Sequence, residues 1–374
     1  MTEVISDNCK PVKVLIIGNY PPPMCGWAMQ TYLVSAELCR RGKVCNVLKI
    51  NENRDVKSSA YVNVQNGWDY LRKIMSFIMR GYRLNMHVNG MSKKGYLLAM
   101  ITTVIGRLTF HPVALTFHGG LSQNYFPCHD SWRVHHAFRL LFQSAGKIAC
   151  DSVEIKDAIE DYGIKSHKIT SIGTFSRQYL TFTPTDLPES FDNFLSRRWP
   201  VFFCYLSFRP EYRVEALREG MKRFRERYSD AGFIWLGFPD RELSQARAFV
   251  DTWTEEERQH LLLVGNLSHG DFLTLLRRCS AYLRSPTCDG MAASVLEALA
   301  LKVPVVASEN GRRPAGVITY CDEDSADMCA KMIYVVENDS TIRSALGHDS
   351  VGDKVPDNIA RMANWLTQET VGID

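Results

Sequence analysis

Two carboxylates, Asp289 and Glu297, lie eight residues apart in the stretch Arg284–Pro314, RSPTCDGMAASVLEALALKVPVVASENGRRP. The spacing reads as a turn holding Asp289, then a helix holding Glu297, a buried strand and a second turn. Gly290-Met291-Ala292-Ala293 form a small-residue loop that leads into the helix start. A helix N-terminus offers unpaired N–H groups and the positive end of a dipole, which suits phosphate. Carboxylates on either side of it accept hydrogen bonds from hydroxyls. Together they suit a ligand carrying both groups, such as a nucleotide sugar. Asp289 as a plain N-cap is the competing reading of that residue. Glu297 precedes Ala-Leu-Ala and the apolar run Val303–Val306, so it is expected to face a cleft rather than solvent.

Three further places carry chemistry. His118 is followed by Gly119-Gly120 at the end of a short apolar run. Arg209 and Arg213 stand where a strand gives way to a helix, and by themselves read as solvated helix-start residues. Gly26 closes the loop Asn19–Trp27, NYPPPMCGW, whose prolines exclude helix and strand. That loop is an ordinary strand–helix turn or a place where backbone N–H groups meet a ligand. Asp322-Glu323-Asp324 mimics a DxD metal motif, but its place before Ser325–Glu337 makes it a helix cap, so no metal site is expected.

The elements that must hold these residues alternate. Val12–Gly18 is a continuous apolar run with β-branched residues and reads as a buried parallel strand. Ala28–Arg41 follows with helical spacing. Strands at Cys45–Ile50, Asn85–Asn89, Val113–Phe117, Lys147–Cys150 and Lys168–Ile172 then alternate with helices at Trp68–Tyr82, Gly95–Leu108, Trp132–Phe142 and Val153–Tyr162. Gln178–Trp199, richer in Pro, Asp, Thr and Ser, reads as an interdomain linker. A second series supplies strands at Val201–Leu206, Phe233–Leu236, Leu261–Val264, Ala281–Leu283, Val303–Ala307 and Val317–Tyr320. Its helices fall at Glu211–Tyr228, Glu242–Thr252, Asp271–Cys279, Ala292–Leu301 and Ser325–Glu337, with Asn358–Gln368 last. The fold class is α/β with two doubly wound, Rossmann-like parallel sheets facing across a cleft. The expected domains are 1–180, a linker at 181–199, and 200–355, with the last helix, about 356–374, packing back on the first. Ligand is expected at the sheet ends by the switch-point rule.

The 374 residues, 45% apolar and 23% charged, suit an ordinary globular protein of two domains. Residues 1–180 hold 22 Lys+Arg against 12 Asp+Glu, a balance of +10. Residues 181–374 hold 22 against 29, a balance of −7. The basic half faces something anionic, or the halves attract across a cleft. No nucleic-acid motif accompanies the modest basic excess. The basic, aromatic helices Trp68–Tyr82 and Trp132–Phe142 suit either an anionic membrane or ordinary core packing with a solvated face. Eleven cysteines without a CxxC pair read as reduced thiols of a cytosolic enzyme. Residues 1–11 are polar and mixed in charge, so no signal peptide is expected. The longest apolar run, Tyr96–Ile105, is short for a membrane span.

These residues resemble a known family. Asp289-x7-Glu297, within DGMAASVLEALALKVPVVAS, resembles the E-x7-E signature of family 4 of the GT-B glycosyltransferases, a retaining group that uses nucleotide sugars. RSPTCDG, SVLEAL and RRPAGV resemble its bacterial exopolysaccharide and capsule branch, as do NYPPPMCGW and TFHGG. The resemblance implies a donor, UDP-linked, whose ribose hydroxyls Glu297 binds and whose transferred sugar Asp289 contacts. It implies that the amides of Gly290, Met291 and Ala292 cradle sugar and diphosphate. His118 would lie near the reacting centre, and Gly26 would let its loop approach phosphate or acceptor. No cofactor is implied beyond the nucleotide-sugar co-substrate, and the acceptor would be a glycan or lipid-linked. The chain departs from the family at Leu206–Arg213, LSFRPEYR, where Ser207 and Tyr212 stand in the usual basic places. Arg209 and Arg213 then replace them in neutralising the leaving group. A catalytically silent partner that binds a sugar nucleotide or another transferase is the alternative.

Overall fold

The structure, a computed structural model, describes residues 11–22, 25–121, 123–128, 130–238, 240–287, 292–348 and 355–368. The chain forms two compact units. One holds Met1–Pro22, Trp27–Thr174 and Asn358–Asp374, and the other holds Pro23–Gly26 and Phe175–Asp357.

The first unit alternates β1 (Lys13–Gly18), α1 (Gly26–Arg40), β2 (Val44–Lys49), α2 (Gly67–Met79), β3 (Arg83–Asn89), α3 (Lys93–Leu108), β4 (Ala114–His118), α4 (Trp132–Ser144), β5 (Lys147–Cys150), α5 (Val153–Glu160) and β6 (Ile169–Ser171). All strand pairs are parallel, in the order β2-β1-β3-β4-β5-β6. The chain runs from β1 outward to β2, then starts again on the other side of β1 with β3. That reversal makes the β1/β3 boundary a switch point. The strands are apolar throughout because helices cover the sheet, and Leu15, Ile17, Met86, Val88, Leu115 and Phe117 are buried in the core.

The second unit contains α6 (Glu189–Arg197), β7 (Val201–Tyr205), α7 (Val214–Arg225), β8 (Gly232–Leu236), α8 (Leu243–Asp251), α9 (Glu255–Gln259), β9 (Leu261–Gly265), α10 (His269–Arg278), β10 (Ala281–Arg284), α11 (Ala293–Ala300), β11 (Val305–Ser308), β12 (Val317–Tyr320), α12 (Ser325–Glu337) and α13 (Asp339–His348). Its parallel sheet is ordered β12-β11-β10-β7-β8-β9, so the reversal falls between β7 and β10. Successive residues of β7 alternate between two cores. Phe202 and Cys204 pack with α7 and α12, while Val201 and Phe203 pack with α10 and α11. This is the period-two side-chain alternation of a strand covered on both faces. α14 (Asn358–Thr367) belongs to the first unit.

The expected fold class, two Rossmann-like parallel α/β domains, is the one observed. Four local expectations need correction. The segment read as a linker at 181–199 is not merely a tether, because Glu189–Arg197 is helical and Leu187 and Phe191 are buried in the second unit's core. Its Pro and Asp punctuate the start of a helix, which composition alone read as loop. The helix expected at Glu211–Tyr228 is broken. Pro210–Tyr212 form a 3-10 turn, Arg213 is left-handed (φ 51, ψ 42), and α7 starts at Val214. α10 starts at His269 rather than Asp271, because the Ser268 side chain accepts the Asp271 N–H and caps it there. α9 and α13 were not anticipated.

Candidate active site

The sheet of the second unit sets Tyr205 and Arg284 side by side where β7 and β10 end. Arg284 is buried, and its Nη1 donates to Tyr205 O at 2.8 Å. Its guanidinium also lies 5.3 Å from the Tyr212 ring centre. Ser285 Oγ donates to Tyr212 O at 2.6 Å. Arg313 closes the other side, giving Nε to Ser308 O at 2.8 Å and Nη2 to Pro286 O at 2.7 Å. These bonds fix the β10 end of the β10–α11 loop. Asp289, Gly290 and Met291, all expected in the site, lie outside the described residues. Ala292 is the N-cap of α11, with an extended backbone and no side-chain cap. The first amides of α11 therefore receive no acceptor from their cap, as an anion-accepting terminus requires.

Glu297 lies one turn into α11 and is 4% exposed. Its Oε1 accepts a 2.7 Å hydrogen bond from His269 Nε2. His269 is the first residue of α10, stacked on Phe272 and edge-on to Tyr179. Tyr179 Oη in turn donates to Gly26 O at 3.0 Å. The sequence reading missed His269. Its signal was present, since Ser268-x-x-Asp271 is a capping pattern that puts His269 at the start of a helix. Gly26 is not forced by sterics at this point, as an added Cβ would meet only Ala293 Cβ at 3.7 Å.

Arg209 and Arg213 have different surroundings. Glu242, almost fully buried, accepts from Ser207 Oγ at 2.6 Å and from Phe208 N at 2.9 Å. It thereby shapes the loop where the family resemblance expects a basic residue. Arg209 Nε stands 3.8 Å from Glu242 Oε1, and its side chain is half exposed. Arg213 is more firmly engaged, with Nη2 3.3 Å from Asp322 and Nε 2.8 Å from Glu323. Asp324 accepts from the amides of Ala326 and Asp327 and is the N-cap of α12. The acidic triplet thus divides into a cap and two partners for Arg213.

In the first unit, His118 ends β4 beside the switch point. It joins a buried polar cluster with Trp27, Asn85, His87, Thr116 and Asp151. Trp27 Nε1 donates to His87 Nδ1 at 2.7 Å. Indole has only a donor, so Nδ1 is an acceptor and the proton of His87 is on Nε2. Hydrogen-bond consistency turns the Asn85 amide, 2.9 Å away, so that its oxygen faces Nε2 and its nitrogen faces Thr116. His118 Nε2 also approaches His87 Nδ1 at 3.1 Å. His118 Nδ1 stands 3.4 Å from Asp151 Oδ1. That oxygen is buried without a hydrogen-bond partner, and a proton on Nδ1 would supply one. Asp151 Oδ2 accepts from Gly119 N at 3.0 Å. Gly119 has φ +111, a conformation that favours glycine. His87 is fully enclosed, and burial followed by the nearby His118 hold its pKa well below the ordinary histidine value. Both ring nitrogens of His118 thus face protein groups, and the ring is 5% exposed.

No curated protein matches the sequence. Several solved structures are similar over nearly the whole chain. HepE of Anabaena, solved with UDP and glucose, is 12% identical with a TM-score of 0.69, over 95% of this chain and 99% of that one. A glycosyltransferase from Rickettsia africae is 14% identical with a TM-score of 0.65, over 96% and 99%. A UDP-GlcNAc 2-epimerase from Neisseria meningitidis, bound to UDP-GlcNAc, is 12% identical with a TM-score of 0.62, over 95% and 99%. At such identities the likeness is one of fold, and the fold is GT-B. Residues 189–347, which include β7, Glu297 and His269, match the family model described as Glycosyl transferases group 1.

Proposed function

We propose that the chain is a retaining, hexosyl-transferring glycosyltransferase. It moves a sugar from a UDP-linked donor to a glycan or lipid-linked acceptor in polysaccharide synthesis, without a metal. The work would be done in the cytoplasm, at the inner face of a membrane. The observation that carries the reading is the glycosyl transferases group 1 match over residues 189–347, which spans a buried carboxylate at the sheet's switch point. Structures of similar fold were solved with UDP or UDP-sugars, which favours that class of donor.

In this reading Glu297 accepts the ribose hydroxyls, and Asp289 contacts hydroxyls of the transferred sugar. The amides of Gly290, Met291 and Ala292, at the start of α11, take the sugar and diphosphate. Arg209, half exposed, and Arg213 balance the charge that develops on the leaving nucleotide. His118 lies near the reacting centre, its ring fixed by His87 and Asp151. A leaving-phosphate oxygen takes the proton of the acceptor hydroxyl as the new glycosidic bond forms on the same face, so no covalent nucleophile is required.

A panel of UDP- and GDP-sugars, read by thermal stabilisation, tests the donor. A bound donor at a hundredfold its Kd adds about 2.7 kcal/mol to stability. One UDP-sugar is expected to raise Tm and to be slowly hydrolysed. Stabilisation without any turnover would instead indicate a silent binding partner. Product NMR showing the anomeric configuration opposite to the donor would overturn retention.

A further inference from the structure

Residues 70–129 contain no Asp or Glu, and residues 70–150 contain one, Asp130, against ten Lys and Arg. The whole chain holds 41 acidic residues, so the gap is a local feature. It coincides with a structural layer. Tyr70 of α2 shares a 2.6 Å hydrogen bond with Thr102 of α3. Tyr96 of α3 donates to Ala137 O of α4 at 2.9 Å, and Ser144 of α4 donates to Thr103 at 2.8 Å. α2, α3 and α4 are therefore neighbours.

What they turn outward is unusual. On α3, Leu97, Ile101, Val104 and Leu108 fall at spacings of four, three and four, one face of a helix. That face is not the buried one, since the core side is made by Ala99, Thr102, Thr103 and Gly106. Leu108 is 74% exposed, and Phe110 just beyond the helix is 92% exposed. On α4, Trp132 is 69% exposed, with Leu140 exposed two turns on and Arg133 and Arg139 between and beside them. On α2, Trp68 and Met79 are exposed, but the cations between them, Arg72 and Lys73, pair with Asp69 of the same helix. Lys93, Lys94 and Arg107 lie exposed at the ends of α3. Among the described residues no helix is long and apolar enough to cross a membrane.

On α3 and α4 apolar and aromatic side chains are interleaved with cations, and neither helix carries a carboxylate, which is the composition of a surface that lies on anionic lipid. A second copy fits poorly, because an isologous contact would set this basic layer against itself. The apolar side chains stand on convex helices, which a protein partner must match in shape and a bilayer need not. We propose that the α3–α4 face of the first unit docks on an anionic bilayer. Trp132, Leu108 and Phe110 enter the headgroup region, and Arg133, Arg139, Lys93 and Lys94 lie against lipid phosphates. The proposal rests on the reading above only for its purpose, access to a lipid-linked acceptor.

Co-sedimentation of the full chain with vesicles tests it. One set is pure phosphatidylcholine and the other contains about one-third phosphatidylglycerol. Binding is expected to the anionic vesicles, far weaker to the neutral ones, and reduced when salt rises from about 0.1 M to about 0.5 M. R133E/R139E should weaken binding at least about tenfold. L108S/F110S should weaken it as well. These residues are exposed, and unchanged stabilisation by the donor sugar would show that both variants fold with an intact site. No binding to anionic vesicles at low salt overturns the proposal, as does binding that neither variant changes. A concentration-dependent dimer in analytical ultracentrifugation, lost in L108S/F110S, would give the face to a second copy instead. A failed donor reading appears separately, as absence of stabilisation by any nucleotide sugar in parent and variants alike.

Discussion

Glu297 is a buried carboxylate with one oxygen committed to His269, which fixes its orientation. If Glu297 binds the donor ribose, E297A should abolish transfer and donor stabilisation together, and retained turnover would refute the assignment. H269A leaves the carboxylate buried and unpaired on one side. Hydrogen bonds to charged groups contribute about 1.5–3 kcal/mol, so donor KM should rise about tenfold or more with a much smaller change in kcat. H269Q, which keeps a donor at that distance, should recover part of the loss. A purely structural role would lower Tm without that split between KM and kcat. His87 supports a different prediction. Its pKa is depressed by burial, so the unfolded chain takes up a proton near the ordinary histidine value while the folded chain does not. The stability it contributes is full above that value and lost as pH falls below it. His260 shifts in the same direction, also through burial. The groups facing His87 are Trp27 from α1, Asn85 from its own strand, and His118 from β4 with Asp151 behind it. Urea midpoints should therefore drop between about pH 6.5 and pH 5, above the range where carboxylates titrate. H87N should flatten that slope.

Elements show where side-chain size, rather than pattern, decides. Gly106 lies inside α3, where alanine would be the better helix former by about 1 kcal/mol. An added Cβ would come within 2.4 Å of Val113 Cγ2 and 2.6 Å of His111 O. The second contact is backbone and does not rotate away, so G106A should destabilise by about 1–3 kcal/mol in urea unfolding despite its propensity. The alternation of strand and helix was legible in the sequence because continuous apolar runs and helical spacing are both local signals. α6 was not, because its Pro and polar residues look like a linker until Leu187 and Phe191 are seen buried. The break at Arg213 was hidden for a related reason. Nothing in the residue type announces a left-handed arginine, and its conformation goes with two ion pairs to residues more than a hundred positions away.

At the scale of the molecule, the two parallel sheets follow from the order of elements, and Glu297 and His118 were singled out as candidates from the residues beside them. The partners of those residues were not, since His269, His87, Trp27 and Asp151 come from other elements and meet them only in the fold. α14 is the clearest long-range case. Ile359, Met362, Ala363, Trp365 and Leu366 are buried. Arg83 and Lys147, from β3 and β5, donate to carbonyls at the end of this helix, including those of Thr367 and Trp365. Cations there oppose the negative end of the helix dipole. Removing residues 358–374 should lower the stability of the first unit, measured by hydrogen exchange in β3 and β5, more than that of the second.

The same return of the chain orders events during synthesis. The 183 residues of Phe175–Asp357 separate Thr174 from the helix that completes the first unit. A ribosome adding about 5–20 residues per second needs on the order of 10–40 s to cover that distance. For that interval the nascent first unit carries an apolar cleft meant for α14 and has nothing to close it. The second unit, continuous apart from a few residues, is whole before the first is. The part of the protein made first is thus the part finished last, and chaperone demand should concentrate on it.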